Sequence, residues 1–170
     1  TRGGAGDNGL SAIPGREAEA RAAIDEAVAY AAAINCANIH VMAGFTDRGA
    51  AAEQTFRANL TYACAQAAPH GITILIEPLN HYDAPGYFLS TTAQAAQIID
   101  TVRAVNLKLM FDCYHVQLME GDLTHRLQTL MPHIGHIQFA SAPARGPPDG
   151  GELHFVYLFE TISALGWPAP

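Results

Sequence analysis

The sequence predicts an α/β fold of parallel strands alternating with helices, and two observations predict it. The apolar residues switch repeatedly between the 3.6-residue spacing of amphipathic helices and short runs too brief for a helix. The short runs begin near residues 38, 72, 107 and 135, and a helical stretch fits between each pair. Each helix then carries the chain back to its starting end, which makes the strands parallel.

Taken in order, the first helix spans Arg16 to Ile34, with Ile24, Ala27, Val28, Ala31 and Ile34 on its inner face and a Glu17–Arg21 pair outside. NIHVMAG (38–44) is a buried strand closed by glycine. The second helix covers about Ala51 to Ala68, faces inward through Phe56, Leu60, Cys64 and Ala67, and stops at Pro69-His70-Gly71. Ile72 to Ile76 is the second strand. Thr91 or Thr92 caps a third helix, with Ala95, Ile98, Ile99 and Val102 inside. LKLMFD (107–112) is the third strand, Leu123 to Met131 a helix, and GHIQFA (135–140) the fourth strand. A last helix starts near Phe155, carries Leu158, Phe159 and Ile162 along one side, and ends at Gly166.

Four such units build either an open doubly wound sheet or half of a (β/α)8 barrel. A Rossmann-type sheet has a glycine-rich phosphate loop after its first strand, and this chain shows none. Polar residues instead close successive strands, namely Glu77, Asp112 and Gln138, which is where a barrel keeps its chemistry. A usual barrel takes ~250 residues, against 170 here. The expectation is a partial (β/α)8 barrel of about four parallel βα units, one incomplete domain over residues 1–170. The first residue, Thr1 and not Met, fits part of a longer chain.

Composition narrows the function. A net charge of −7 without a basic run disfavours nucleic acid as a partner, because binding it requires a positive stripe that displaces counterions. No apolar run approaches the ~20 residues of a membrane span. The three cysteines are widely spaced without a CxxC, as expected of reduced thiols in a cytoplasmic protein. Asn59-Leu60-Thr61 matches a glycosylation sequon by chance, inside a helix.

The strand-end residues form one constellation. Adjacent strands lie ~4.8 Å apart, so Glu77, Asp112 and Gln138 can converge on one ion. Their donors are oxygens, which suits Mg²⁺ or Mn²⁺. Equally, Asp112 and Gln138 can cap the loops that follow them. His115, three residues after Asp112, can face the same site, either touching the substrate or standing behind the ligands. His40 and His136 lie within strands, where a hydrogen-bonded core role is the commoner one. Glu120 and Asp122 flank Gly121 in a turn and are expected to be solvated. Arg145, in PARGPPDGGE after the fourth strand, is either a surface residue or a bidentate partner for a substrate carboxylate.

The stretches IPGREAE, IHVMAG, ILIEPLN with PGYFL, LKLMFDCYH with QLMEGDL, GHIQFA and GELHF with YLF resemble the hydroxypyruvate isomerase family, among the xylose-isomerase-like TIM barrels. The similarity runs from about Gly6 to Gly166. It implies metal-assisted interconversion of hydroxypyruvate and tartronate semialdehyde, or of a related small 2-oxo sugar acid. Glu77 matches the first of two catalytic glutamates, which is also a metal ligand, and Asp112 and Gln138 match two further ligands. The resemblance places the chain at strands four to seven of eight, with the second glutamate past Pro170 and activity impaired for that reason. Pro147 stands where the family usually has glutamate, and His154 where asparagine is common. Unpaired barrel edges would favour homo-oligomers or aggregation. The alternatives are a non-catalytic half-barrel remnant acting in assembly or metal binding, and a metal-dependent endonuclease, which the charge disfavours.

Overall fold

The computed structural model describes residues 1–168 apart from Arg2 and Ala5. The elements run α1 (Glu17–Ala33), β1 (Asn38–His40), α2 (Ala50–Ala67), β2 (Thr73–Ile76), α3 (Thr92–Val102), β3 (Leu107–Asp112), α4 (Cys113–Met119), α5 (Leu123–Leu130), β4 (Ile134–Gln138) and α6 (Phe155–Ala164). The four strands pair in parallel in the order β1-β2-β3-β4, the topology of consecutive βα units in a barrel.

Near-continuous apolar strands follow from burial on both faces of such a sheet. Ile74, Leu75 and Ile76 are all essentially inaccessible, as are Leu107, Leu109 and Phe111 on the neighbouring strand. The helices supply the matching layer through Ile24 and Val28 of α1, Phe56 and Leu60 of α2, and Ile98 of α3.

One irregularity sets the register at the site. Leu109 pairs with Ile134 but Met110 pairs with His136, so Gly135 is skipped as a bulge. A Cβ at Gly135 would lie 2.5 Å from the Cβ of Lys108, so glycine is needed there. Beyond the bulge, Asp112 aligns with Gln138.

Several local expectations change. The chain after β3 goes directly into α4, a helix that the sequence does not announce, because Asp112 is both the last strand residue and the helix cap. Ile34 lies past the end of α1 and is 55% exposed. Phe159 is also exposed, and it stacks edge-on against Phe139 at 4.9 Å. Arg21 does not close on Glu17. It donates to Asn59 Oδ1 and lies over the Tyr62 ring, while Glu17 accepts from Gly15 N and Thr55 Oγ1. Asn59 is fully buried and donates to Ser11 O, which removes the sequon from any modifying enzyme in the folded chain.

Thr91 is the cap of α3, accepting from Gln94 N. Thr92 has a different partner. Its N–H donates to Glu120 Oε2 at 2.8 Å, and Arg126 Nη1 donates to Glu120 Oε1 at 2.9 Å. Glu120 is therefore not a solvated turn residue but a nearly covered tie between α3 and α5, its side chain 9% exposed. Asp122 is the solvated one, paired with the exposed His125. Replacing Glu120 with Ala strands the Thr92 N–H and takes the carboxylate from Arg126, which keeps its bonds to Gly121 O and Thr92 Oγ1, and a loss of about 1–3 kcal/mol is expected. Urea unfolding followed by circular dichroism measures it; a loss under half that range would mean water replaces the carboxylate.

Candidate active site

The site grows out of the carboxyl ends of β2 and β3. Glu77 follows the last residue of β2, and Asp112 ends β3, both buried. Glu77, Asp112 and His115 each bring a potential ligand atom within 4.8 Å of the others, a cluster compatible with a metal site. Gln138 ends the next strand as the register partner of Asp112 and is half-buried. The sequence-predicted residues thus converge at one end of the sheet.

Asp112 performs two tasks at once. Oδ1 accepts from Tyr114 N at 2.9 Å and caps α4, while Oδ2 faces His115 Nε2 at 3.7 Å and Arg145 Nη2 at 3.8 Å. The capping role and the site role are therefore not alternatives.

His115 is oriented by Asn80, a fully buried residue that sequence reading passed over. The backbone N–H of Asn80 donates to His115 Nδ1 at 3.1 Å. With Nδ1 occupied as an acceptor, the ring hydrogen of the neutral imidazole sits on Nε2. That Nε2 is buried without a hydrogen-bond partner among the described residues, 3.9 Å from Glu77 Oε1. A ring nitrogen carrying hydrogen cannot coordinate a cation, so His115 is left as a donor, and the Glu77 and Asp112 carboxylates of the cluster offer hard oxygen ligands of the kind a divalent ion takes.

His40 also belongs here, contrary to its expected role as a plain core residue. Its Nδ1 lies 3.6 Å from Glu77 Oε2, and its buried Nε2 has no hydrogen-bond partner among the described residues. The available signal was its position in the strand next to the one that delivers Glu77. Arg145 comes in from the loop after β4 and, with His40, Met42, Glu77 and His115, lines a cleft of about 260 Å³. His154 takes the cap position of α6, its Nδ1 accepting from Tyr157 N, a function an asparagine would also perform.

Electrostatics follow from burial. Desolvation, reinforced by the Asp112 carboxylate and opposed by Arg145, pushes Glu77 up to about 8. Burial pulls His40 down to about 4 and holds His115 below the ordinary imidazole range despite the nearby Asp112. The buried thiols of Cys64 and Cys113 are pushed up to about 12 by desolvation, which leaves them inert at neutral pH.

With this geometry in view, the comparisons are consistent. Residues 3–170 match the family described as xylose isomerase-like TIM barrel, and the chain belongs to that family. Among its relatives, the 2-oxo-tetronate isomerase of Cupriavidus necator is 47% identical over 167 residues, covering 96% of this chain and 64% of that protein. The hydroxypyruvate isomerase of Escherichia coli is 43% identical over 161 residues, covering 93% of this chain and 62% of that one. The chain thus spans somewhat under two thirds of the curated relatives it matches. A crystal structure of an AP endonuclease, family 2, from Brucella melitensis superposes with a TM-score of 0.94 at 42% identity, covering 97% of this chain and 65% of that one. Among the described residues, no helix is long and apolar enough to cross a membrane.

The two pKa shifts predict a pH dependence for the metal-free chain. Glu77 keeps its proton in the folded state up to about 8 but releases it near the model-peptide value of 4.5 when unfolded, so stability falls as pH rises across that interval. His40 works in the opposite sense. It takes up a proton below 6.5 when unfolded and only near 4 when folded, so stability falls as pH drops from 6.5 to 4. The effects offset one another where they overlap. Above 6.5 the His40 effect is spent and Glu77 contributes a decline of about 2 kcal/mol by pH 8, opposed by the buried Thr1 amino group, which desolvation holds below its ordinary value. Urea midpoints at each pH should show that limb in the native chain and not in Glu77→Gln; the same slope in both would assign it elsewhere.

Proposed function

We propose that this chain carries acid–base chemistry for an intramolecular isomerase of small 2-oxo acids, interconverting hydroxypyruvate and tartronate semialdehyde or a near relative. The observation that carries the reading is the buried Glu77 carboxylate, raised toward neutrality beside Asp112 and facing a cleft with Arg145 at its mouth. The curated relatives named above support it.

The reaction moves one hydrogen from the hydroxymethyl carbon to the adjacent carbonyl carbon, and one from the hydroxyl oxygen to the carbonyl oxygen. Glu77 in its ionised form takes the carbon-bound proton, leaving an enediolate, and a proton returned to the neighbouring carbon completes the exchange. A carboxylate freed from solvent is a stronger base than one in water, which suits this step. The Nε2–H of His115 donates to a substrate oxygen, and Arg145 pairs with the substrate carboxylate. Glu77, Asp112 and Gln138 would hold Mg²⁺ or Mn²⁺, which when bound supplies Lewis-acid stabilisation of developing oxyanion charge. The free thiols of Cys36, Cys64 and Cys113 support a reducing compartment, the cytoplasm. Although one solved relative bears an endonuclease name, a net charge of −7 works against a phosphate backbone as substrate.

Proton NMR of hydroxypyruvate in D₂O with Mg²⁺ or Mn²⁺ tests the proposal through two signals. Deuterium entry at the hydroxymethyl carbon reports the first proton transfer, and tartronate semialdehyde reports completion. Exchange is expected with the native chain and should fall ~10²–10⁴-fold in Glu77→Gln. A folded native chain that exchanges no faster than the buffer, or a Glu77→Gln variant with undiminished exchange, would overturn it.

A further inference from the structure

Arg145 lies on a loop rich in proline and glycine, and half of its side chain is exposed. Such a loop offers little to hold a long cation still. Yet the guanidinium has a seat made from other parts of the chain. Nη1 is 3.4 Å from Asp83 Oδ2, and the guanidinium carbon stands 5.0 Å over the Tyr114 ring. The planar cation rests on an aromatic face and is anchored at one edge by a carboxylate.

The seat is itself braced. Tyr114, on the first turn of α4, is buried, and its hydroxyl donates to Asp83 Oδ2 at 2.9 Å. Asn80 Nδ2 donates to the same oxygen at 3.1 Å. Asn80 Oδ1 in turn accepts from the backbone N–H groups of Tyr82 and Asp83, closing a turn that fixes where Asp83 stands. Asn80 also orients His115 through its backbone N–H, so one buried residue organises both polar walls of the cleft.

We propose that Tyr114 and Asp83 are positioning residues that hold the Arg145 guanidinium at the cleft mouth, and so make the site selective for a ligand bearing a carboxylate. Resting on the proposed function, this goes further by naming the residues on which carboxylate recognition depends. Asp83 engages Nη1 and Asp112 Oδ2 stands 3.8 Å from Nη2, and the N–H groups turned away from these two carboxylates are the ones open to an anion. Without the seat, the loop samples many positions and the anion must order it on binding.

Tyr114→Phe keeps the ring beneath Arg145 and removes only the hydroxyl brace, while Asp83→Asn keeps the shape and removes the charge. Calorimetric titration of the full chain with Mg²⁺ should use two probes, hydroxypyruvate and the neutral dihydroxyacetone, which lacks the carboxylate. Each variant is expected to weaken hydroxypyruvate binding by about 2- to 10-fold, the range of one hydrogen bond, and to leave dihydroxyacetone binding unchanged. In the background of Arg145→Ala, Tyr114→Phe should add no further loss. Equal weakening of both probes, unchanged hydroxypyruvate binding, or additive losses would overturn the proposal. The Nε–H resonance of Arg145 separates this from the preceding reading. A mobile Arg145 in the native chain overturns the seat. An ordered one that Tyr114→Phe releases, in a chain that binds no hydroxypyruvate, upholds the positioning and overturns the choice of substrate.

Discussion

Two carboxylates at neighbouring strand ends, both buried, constrain everything else at this end of the sheet. Glu77 and Asp112 repel one another in a medium that screens poorly, and neither is in bulk water. Asp112 meets the constraint with a backbone N–H on one oxygen and the Arg145 guanidinium near the other. Glu77 has uncharged histidine rings at 3.6 and 3.9 Å and the opposing charge of Arg145 farther off, too little to offset burial, and responds by holding its proton. A divalent cation between the two would satisfy both, because opposite charge counteracts desolvation and repulsion together. An arrangement poorly compensated by the chain's own groups is what a site with a resident cation would look like.

The fold delivers this arrangement through backbone geometry. Parallel strands bring their carboxyl ends to one edge, and the bulge at Gly135 slides β4 so that Gln138 stands opposite Asp112. Without the skipped residue, alternation would turn the side chain at that level to the other face of the sheet. The absence of a Cβ at Gly135 and the placement of an oxygen donor three residues later are therefore one feature.

Much of this was legible in the sequence, and the failures share a cause. The alternation of strands and helices could be read because apolar periodicity is local, and Glu77 stood out because a carboxylate ended a buried run. The helix α4 was missed because its cap is also the last residue of β3, so no turn residues separate the two elements. Glu120 was misread as solvated because its partners, Thr92 and Arg126, come from other helices, one of them 28 residues away. The role of Arg145 could not be decided, since its nearest carboxylate lies 62 residues earlier. Long-range side-chain partners leave no trace in spacing.

The distribution of rigidity across the site follows the same division. The groups proposed to handle protons or a cation, Glu77, Asp112 and Gln138, stand at strand ends, where the ladder fixes the backbone. The group proposed to read the substrate's charge, Arg145, arrives on a loop and borrows its order from Tyr114 and Asn80, which belong to the strand-end framework. Loops tolerate change that strands do not, and this one is rich in proline and glycine. The seat beneath Arg145 lets the loop vary in sequence while its one charged contact stays referenced to the carboxylates below. Recognition and chemistry thereby share a single buried reference point in Asn80, which anchors Asp83 on one side and the tautomer of His115 on the other.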